Sequence, residues 1–210
     1  MIDTLEANRE KAAKLEIEDI IQNNLLSPNL PPSGGIEGGS FALLTMHRPS
    51  NVDKKEILEP IIDFLCDEVA QDMPLLWPIH PRTQQRLKDF GLWEKVSATK
   101  DLILMHPIGY HEMLRLNMDA SIMLTDSGGL QEECTVLGTP CLALRWNTER
   151  PITLREHGGA SVLVGNNIKR IREEYRNTLS QQRKPVRPEL WDGKTAGRCL
   201  EAILRYPINR

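Results

Sequence analysis

Short apolar runs alternate with longer amphipathic stretches along most of this 210-residue chain. The runs are Phe41 to Met46, Leu75 to Ile79, Leu102 to Met105, Ala120 to Leu124, Cys141 to Leu144 and Ser161 to Val164. Each is apolar almost throughout and does not alternate, which indicates strands buried on both faces, as in a parallel sheet. Helical patterns fall between and after them, over 54–70, 83–90, 109–117, 129–137, 166–179 and 194–205. In the first, Ile57, Leu58, Ile61, Ile62, Leu65 and Val69 share one face. Strand-then-helix repetition with right-handed crossovers predicts an α/β fold, a doubly wound parallel sheet covered on both sides.

Upstream, residues 1–26 carry a helical pattern in Leu5, Ala12, Leu15, Ile17, Ile20 and Ile21, and a Pro/Gly-rich stretch from Ser27 to Gly39 follows. The expected division is a peripheral helix and mobile connector over 1–39 and the sheet domain over 40–210.

Composition narrows the class. Hydrophobic content of 40% and charged content of 26% are those of a soluble globular protein. No apolar run approaches the ~20 residues that span a bilayer, and the amino terminus has no leader pattern. The net charge of −3 supplies no basic field. The expectation is a cytoplasmic protein that binds neither nucleic acid nor membrane, with a small-anion pocket left open. Cys66, Cys134, Cys141 and Cys199 form no C-x-x-C pair and no zinc spacing with histidine, so all four are expected to be reduced, packed thiols, with no metal.

In a parallel sheet, ligands bind beyond the carboxyl ends of the strands. The residues there are His47 to Asp53, His80 to Thr83, His106 to Tyr110, Thr125 to Gly129 and Arg145 to Pro151. Three of the five histidines and several arginines thus meet at one edge. Asp126-Ser127-Gly128-Gly129 joins a strand to a helix. It is either a tight turn with a serine cap or a place where backbone N–H groups approach an anion. It is neither G-x-G-x-x-G nor a P-loop, so nicotinamide cofactors and ATP hydrolysis are not indicated. Glu132 and Glu133 suit the dipole at a helix start, and also lie one turn beyond a phosphate loop, within reach of ribose hydroxyls. His47, beside Arg48, is either structural or the group for chemistry and phosphate contact.

Taken together, Thr45-Met46-His47-Arg48 with Asn51-Val52-Asp53, His80-Pro81-Arg82-Thr83, the run Thr125 to Glu133, Leu137-Gly138-Thr139-Pro140, Arg145 with Thr148-Glu149-Arg150-Pro151, and Asp192-Gly193-Lys194 resemble the non-hydrolysing UDP-N-acetylglucosamine 2-epimerase family. The resemblance covers essentially the whole chain, as the carboxy-terminal half of that family. It implies a Rossmann-like domain that is one half of a GT-B-type two-domain fold. It implies interconversion of UDP-GlcNAc and UDP-ManNAc by elimination and re-addition of UDP, without cofactor or metal. On this basis His47 is the catalytic residue, and Arg48, Ser127, Gly128, Gly129 and Glu133 bind UDP, with Glu133 on the ribose. His80, Arg82, Arg145, Glu149 and Arg150 line the cleft.

The implied partners are UDP-GlcNAc or UDP, the amino-terminal domain in cis or in trans, and a second copy in a homodimer. Ser50 stands where the family has glutamate. The acidic residues that move the C2 proton belong to the amino-terminal domain, so the isolated chain is expected to be inactive. The alternatives are a GT-B glycosyltransferase domain and a non-enzymatic UDP-binding module.

Overall fold

The computed structural model describes residues 1–26, 36, 41–180 and 182–206. Two helices, α1 (Ile2–Ala12) and α2 (Ile17–Asn24), precede β1 (Ala42–Thr45). The short α3 (Pro49–Val52) and α4 (Lys55–Phe64) follow, the latter running through a π turn at Leu65–Val69 into α5 (Ala70–Asp72). Next come β2 (Leu75–Pro78), α6 (Pro81–Asp89), α7 (Trp93–Ala98), β3 (Leu102–Met105), α8 (Tyr110–Asp119), β4 (Ile122–Thr125) and α9 (Gly128–Leu137). The chain continues through β5 (Cys141–Ala143), β6 (Ser161–Leu163), α10 (Ile168–Leu179) and α11 (Thr195–Arg205). The strands form one all-parallel sheet in the order β3-β2-β1-β4-β5-β6. The expected α/β, doubly wound architecture is the one found.

Burial explains the unbroken apolar runs. Ala42, Leu44, Leu75, Trp77, Leu102, Leu104, Ile122 and Leu124 join one buried cluster, and their neighbours Phe41, Leu43, Leu76, Ile103, Met105 and Met123 join another. Successive side chains point to opposite faces of a strand, and here both faces are core. Each such leucine or isoleucine contributes about 1.5–3 kcal/mol relative to an exposed position.

The amino-terminal segment is more integrated than a peripheral helix. Leu5 and Ala12 of α1 pack with Leu114 and Val136 from α8 and α9, whereas Ile17, Ile20 and Ile21 of α2 pack under the sheet. Two clusters in different places require a break. The break is held where Arg115 Nε donates to the Leu15 carbonyl at 2.8 Å. Leu26 N then donates to Leu104 O at 2.9 Å, which ties the segment to β3. The connector expected after residue 26 lies, except for Ile36, outside the described residues. Helix α7 was not expected; it is six residues long and only Val96 is buried.

Cys66, Cys134 and Cys141 are buried as expected, but Cys199 is exposed. It lies on α11, which has no buried residue and leaves Leu200, Ile203 and Leu204 exposed. No helix among the described residues is long and apolar enough to cross a membrane.

Candidate functional site

The connections run outward from β1 in one direction and from β4 in the other, so the crevice between these two strands is where a doubly wound sheet binds ligands. The register Thr45↔Thr125 brings both strands to the same level, and their hydroxyl oxygens are 2.7 Å apart. The residues that follow the two strands, among them His47-Arg48 and Asp126 to Gly129, therefore face each other across this gap.

Asp126 is fully buried and organises the gap. Its Oδ2 accepts from His47 N at 2.9 Å, Arg48 N at 2.8 Å and Asn51 Nδ2 at 3.1 Å. Its carbonyl accepts from Arg48 Nε at 2.7 Å, and its Oδ1 lies 3.1 Å from His47 Nδ1. Burial pushes this carboxyl up, but the contacts from His47 and the backbone N–H groups outweigh it and hold the acid below its ordinary range. The same contact, working against partial burial, raises the pKa of His47. The imidazole is thus held on its Nδ1 side, and the His47 side chain stays 42% exposed, with no partner for Nε2 among the described residues. His80 stacks on it at 5.3 Å between ring centroids.

Helix α9 begins at the same edge, and no side chain caps its start. Its first N–H groups have no intrahelical partner and carry the positive end of the helix dipole. Over this terminus lie two guanidinium groups. Arg145, 8% exposed, pairs with Glu149 through Nη2 at 2.6 Å, and its Nη1 has no hydrogen-bond partner among the described residues. Arg150 pairs with Glu132 at 2.6 Å through Nε and with Glu149 through Nη1. Arg145 foremost, and Arg150 beyond it, lower the Glu149 pKa to about 2. Glycine leaves room here for the ends of both guanidinium groups. A Cβ at Gly128 would lie 2.8 Å from Arg145 Nη1 and closer still to Arg150 Nη1.

Glu133, one turn further on, is 1% exposed, and Tyr110 Oη donates to its Oε1 at 3.1 Å. Burial, opposed by that hydrogen bond, leaves its pKa raised. Arg82, expected in the cleft, is held to Asp53, with Nε 3.0 Å from Oδ1, and Arg86 joins the same carboxylate at 3.1 Å.

The family model described as UDP-N-acetylglucosamine 2-epimerase matches residues 1–204. The chain belongs to the UDP-N-acetylglucosamine 2-epimerase family. It is 40% identical over 167 residues to the UDP-N-acetylglucosamine 2-epimerase of Methanocaldococcus jannaschii, a match that covers 79% of this chain and 44% of that protein. It is 33% identical over 212 residues to the UDP-2,3-diacetamido-2,3-dideoxy-D-glucuronate 2-epimerase of Pseudomonas aeruginosa, covering 97% of this chain and 57% of that protein. Among solved structures, the Methanocaldococcus jannaschii epimerase in complex with UDP-GlcNAc and UDP superposes with a TM-score of 0.79 at 34% identity, over 98% of this chain and 53% of that one. The chain spans about half the length of the relatives it matches.

In this epimerase-family chain, His47, Arg48, Ser127, Gly128, Gly129, Arg145, Glu149 and Arg150 occupy one edge, and His80 joins them by stacking. Arg82 is committed to Asp53, and Glu133 is enclosed between α8 and α9. Residue patterns alone did not single out Asp126 as the hub, nor Asn51 and Tyr110. The strand order supplies that signal, because only the β1–β4 pairing puts Asp126 against His47.

Proposed function

We propose that this chain is the UDP-sugar-binding half of an epimerase that interconverts UDP-GlcNAc and UDP-ManNAc. The observation that carries the reading is the uncapped start of α9 beneath the buried Arg145, whose Nη1 has no partner among the described residues, next to a histidine held on its Nδ1 side by Asp126. Backbone N–H groups, a helix dipole and a guanidinium together suit a diphosphate. Ser127, Gly128 and Gly129 would then lie along the diphosphate, with Arg48, Arg145 and Arg150 as its cationic surroundings and Glu149 orienting the two cleft arginines.

His47 supplies the chemistry that this half contributes. The departing UDP gains charge on the oxygen that linked it to the sugar. A cation placed there favours that departure. The contact with Asp126 keeps the imidazole protonated to higher pH than an isolated histidine, so its Nε2 edge can hold a proton against that oxygen. In this reading the base for the sugar C2 proton comes from a second domain and not from this edge.

Calorimetric titration with UDP, UMP and uridine tests the reading. Affinity is expected to fall in that order, with the diphosphate accounting for most of it. Equal affinities for UDP and uridine would remove the phosphates from the start of α9.

A further inference from the structure

Tyr110 occupies a position that the epimerase reading leaves unexplained. It is the first residue of α8, which Gly109 N fixes by donating to Glu112 Oε2 at 2.7 Å. Its ring packs on the cluster of Ile2, Leu5, Leu114 and Leu137. Its hydroxyl emerges from that packing and donates to Glu133 Oε1 at 3.1 Å. The carboxylate is 1% exposed, and its second oxygen, Oε2, is buried without a partner among the described residues. A buried acceptor left open is costly. Such an oxygen calls for one more donor, and a ligand hydroxyl that reached it would be a neutral donor of the right size.

We propose that Tyr110 is a positioning residue of the ribose subsite: its O–H fixes Glu133 Oε1, turns Oε2 toward a ribose hydroxyl, and so makes the site select ribonucleotides over their deoxy counterparts. This rests on the reading of Glu133 as the ribose acceptor. Two features of Tyr110 suit the task. Burial, and Glu133 after it, hold the phenol protonated well beyond neutral pH, so it stays a donor. The ring is anchored by packing, so the carboxylate it holds has little freedom to rotate.

The experiment measures affinities of the wild-type chain, Tyr110→Phe, Glu133→Gln and the double variant for UDP, 2′-deoxy-UDP, 3′-deoxy-UDP and inorganic pyrophosphate. Tyr110→Phe keeps the ring and its packing. It is expected to weaken UDP several-fold, leave pyrophosphate unchanged and shrink the preference of UDP over at least one deoxy analogue. In the Glu133→Gln background it should add nothing further. Loss of pyrophosphate affinity in step with UDP, or an unchanged ribo-to-deoxy preference, would overturn the role of Tyr110. If Glu133→Gln lowers that preference and Tyr110→Phe does not, only this inference falls. If the wild-type chain shows no preference for UDP over both deoxy analogues, the ribose assignment of Glu133 falls with it.

Discussion

A carboxylate buried as completely as Asp126 is stable only because five donors converge on the residue. Asp126→Asn retains the shape and removes the charge, so the fold should lose about 1.5–3 kcal/mol, the range for a hydrogen bond to a charged group. The pKa of His47, followed by NMR, should fall back toward 6.5. A value that stays high would mean that something other than Asp126 sustains it. The sign of the pH effect follows from the two shifts. The Asp126 contribution is lost as pH falls through its lowered pKa, and that of His47 is lost as pH rises through its raised one. The pair therefore stabilises fully between about pH 4 and about pH 6.5, and denaturation midpoints measured across pH should decline on both sides. Glu133 has the opposite sign. Burial raises its pKa, so its charge opposes folding at neutral pH. Glu133→Gln should stabilise the fold there, by about 1 kcal/mol, while weakening UDP and sparing pyrophosphate. A variant both less stable and indifferent to UDP would contradict the site assignment. The residue types at the strand ends were legible from sequence. Their pairings were not, because Asp126 lies 79 residues from His47 and 75 from Asn51 along the chain.

At the scale of elements, apolar runs revealed every strand among the described residues, since a strand with both faces in the core has no alternation to misread. Helix boundaries were legible to within a few residues. Capping and periodicity failed where tertiary contacts decide: the α1–α2 break is held by Arg115 from α8, and α7 is too short to show a period. The β1–β4 neighbourhood was also hidden, although it determines where the site lies. The start of α9 is the element on which binding depends. Gly128 accommodates guanidinium groups as well as any ligand, so a side chain there must displace Arg145 and Arg150. Gly128→Val is expected to weaken UDP and pyrophosphate alike by about tenfold or more, over ~1.4 kcal/mol, and to leave uridine unaffected. Calorimetry on a variant with native circular dichroism checks this. Unchanged pyrophosphate affinity would separate the arginines and the helix terminus from phosphate binding.

For the whole molecule, a chain half the length of its relatives, with an intact doubly wound sheet, should fold and hold a nucleotide from one side only. Water then reaches the phosphates and screens their attraction to the arginines, so affinity should be weak and fall with added salt. Incubated with UDP-GlcNAc in deuterated water, the chain alone should place no deuterium at C2. A base must lie within about 2.6–3.2 Å of that proton, or one water away, and the proposed reading places Asp126 and Glu133 at the nucleotide end of the ligand, away from the sugar. Deuterium at C2 would show that this half carries its own base. The central claim, that the β1–β4 crevice and the start of α9 receive the diphosphate, has a more direct test. UDP titrated into the isotopically labelled chain should shift the amide resonances of Ser127, Gly128 and Gly129 and the ring signals of His47, along one saturating curve, and pyrophosphate should shift the same set. Shifts concentrated elsewhere, with the α9 start silent at saturating UDP, would contradict the account.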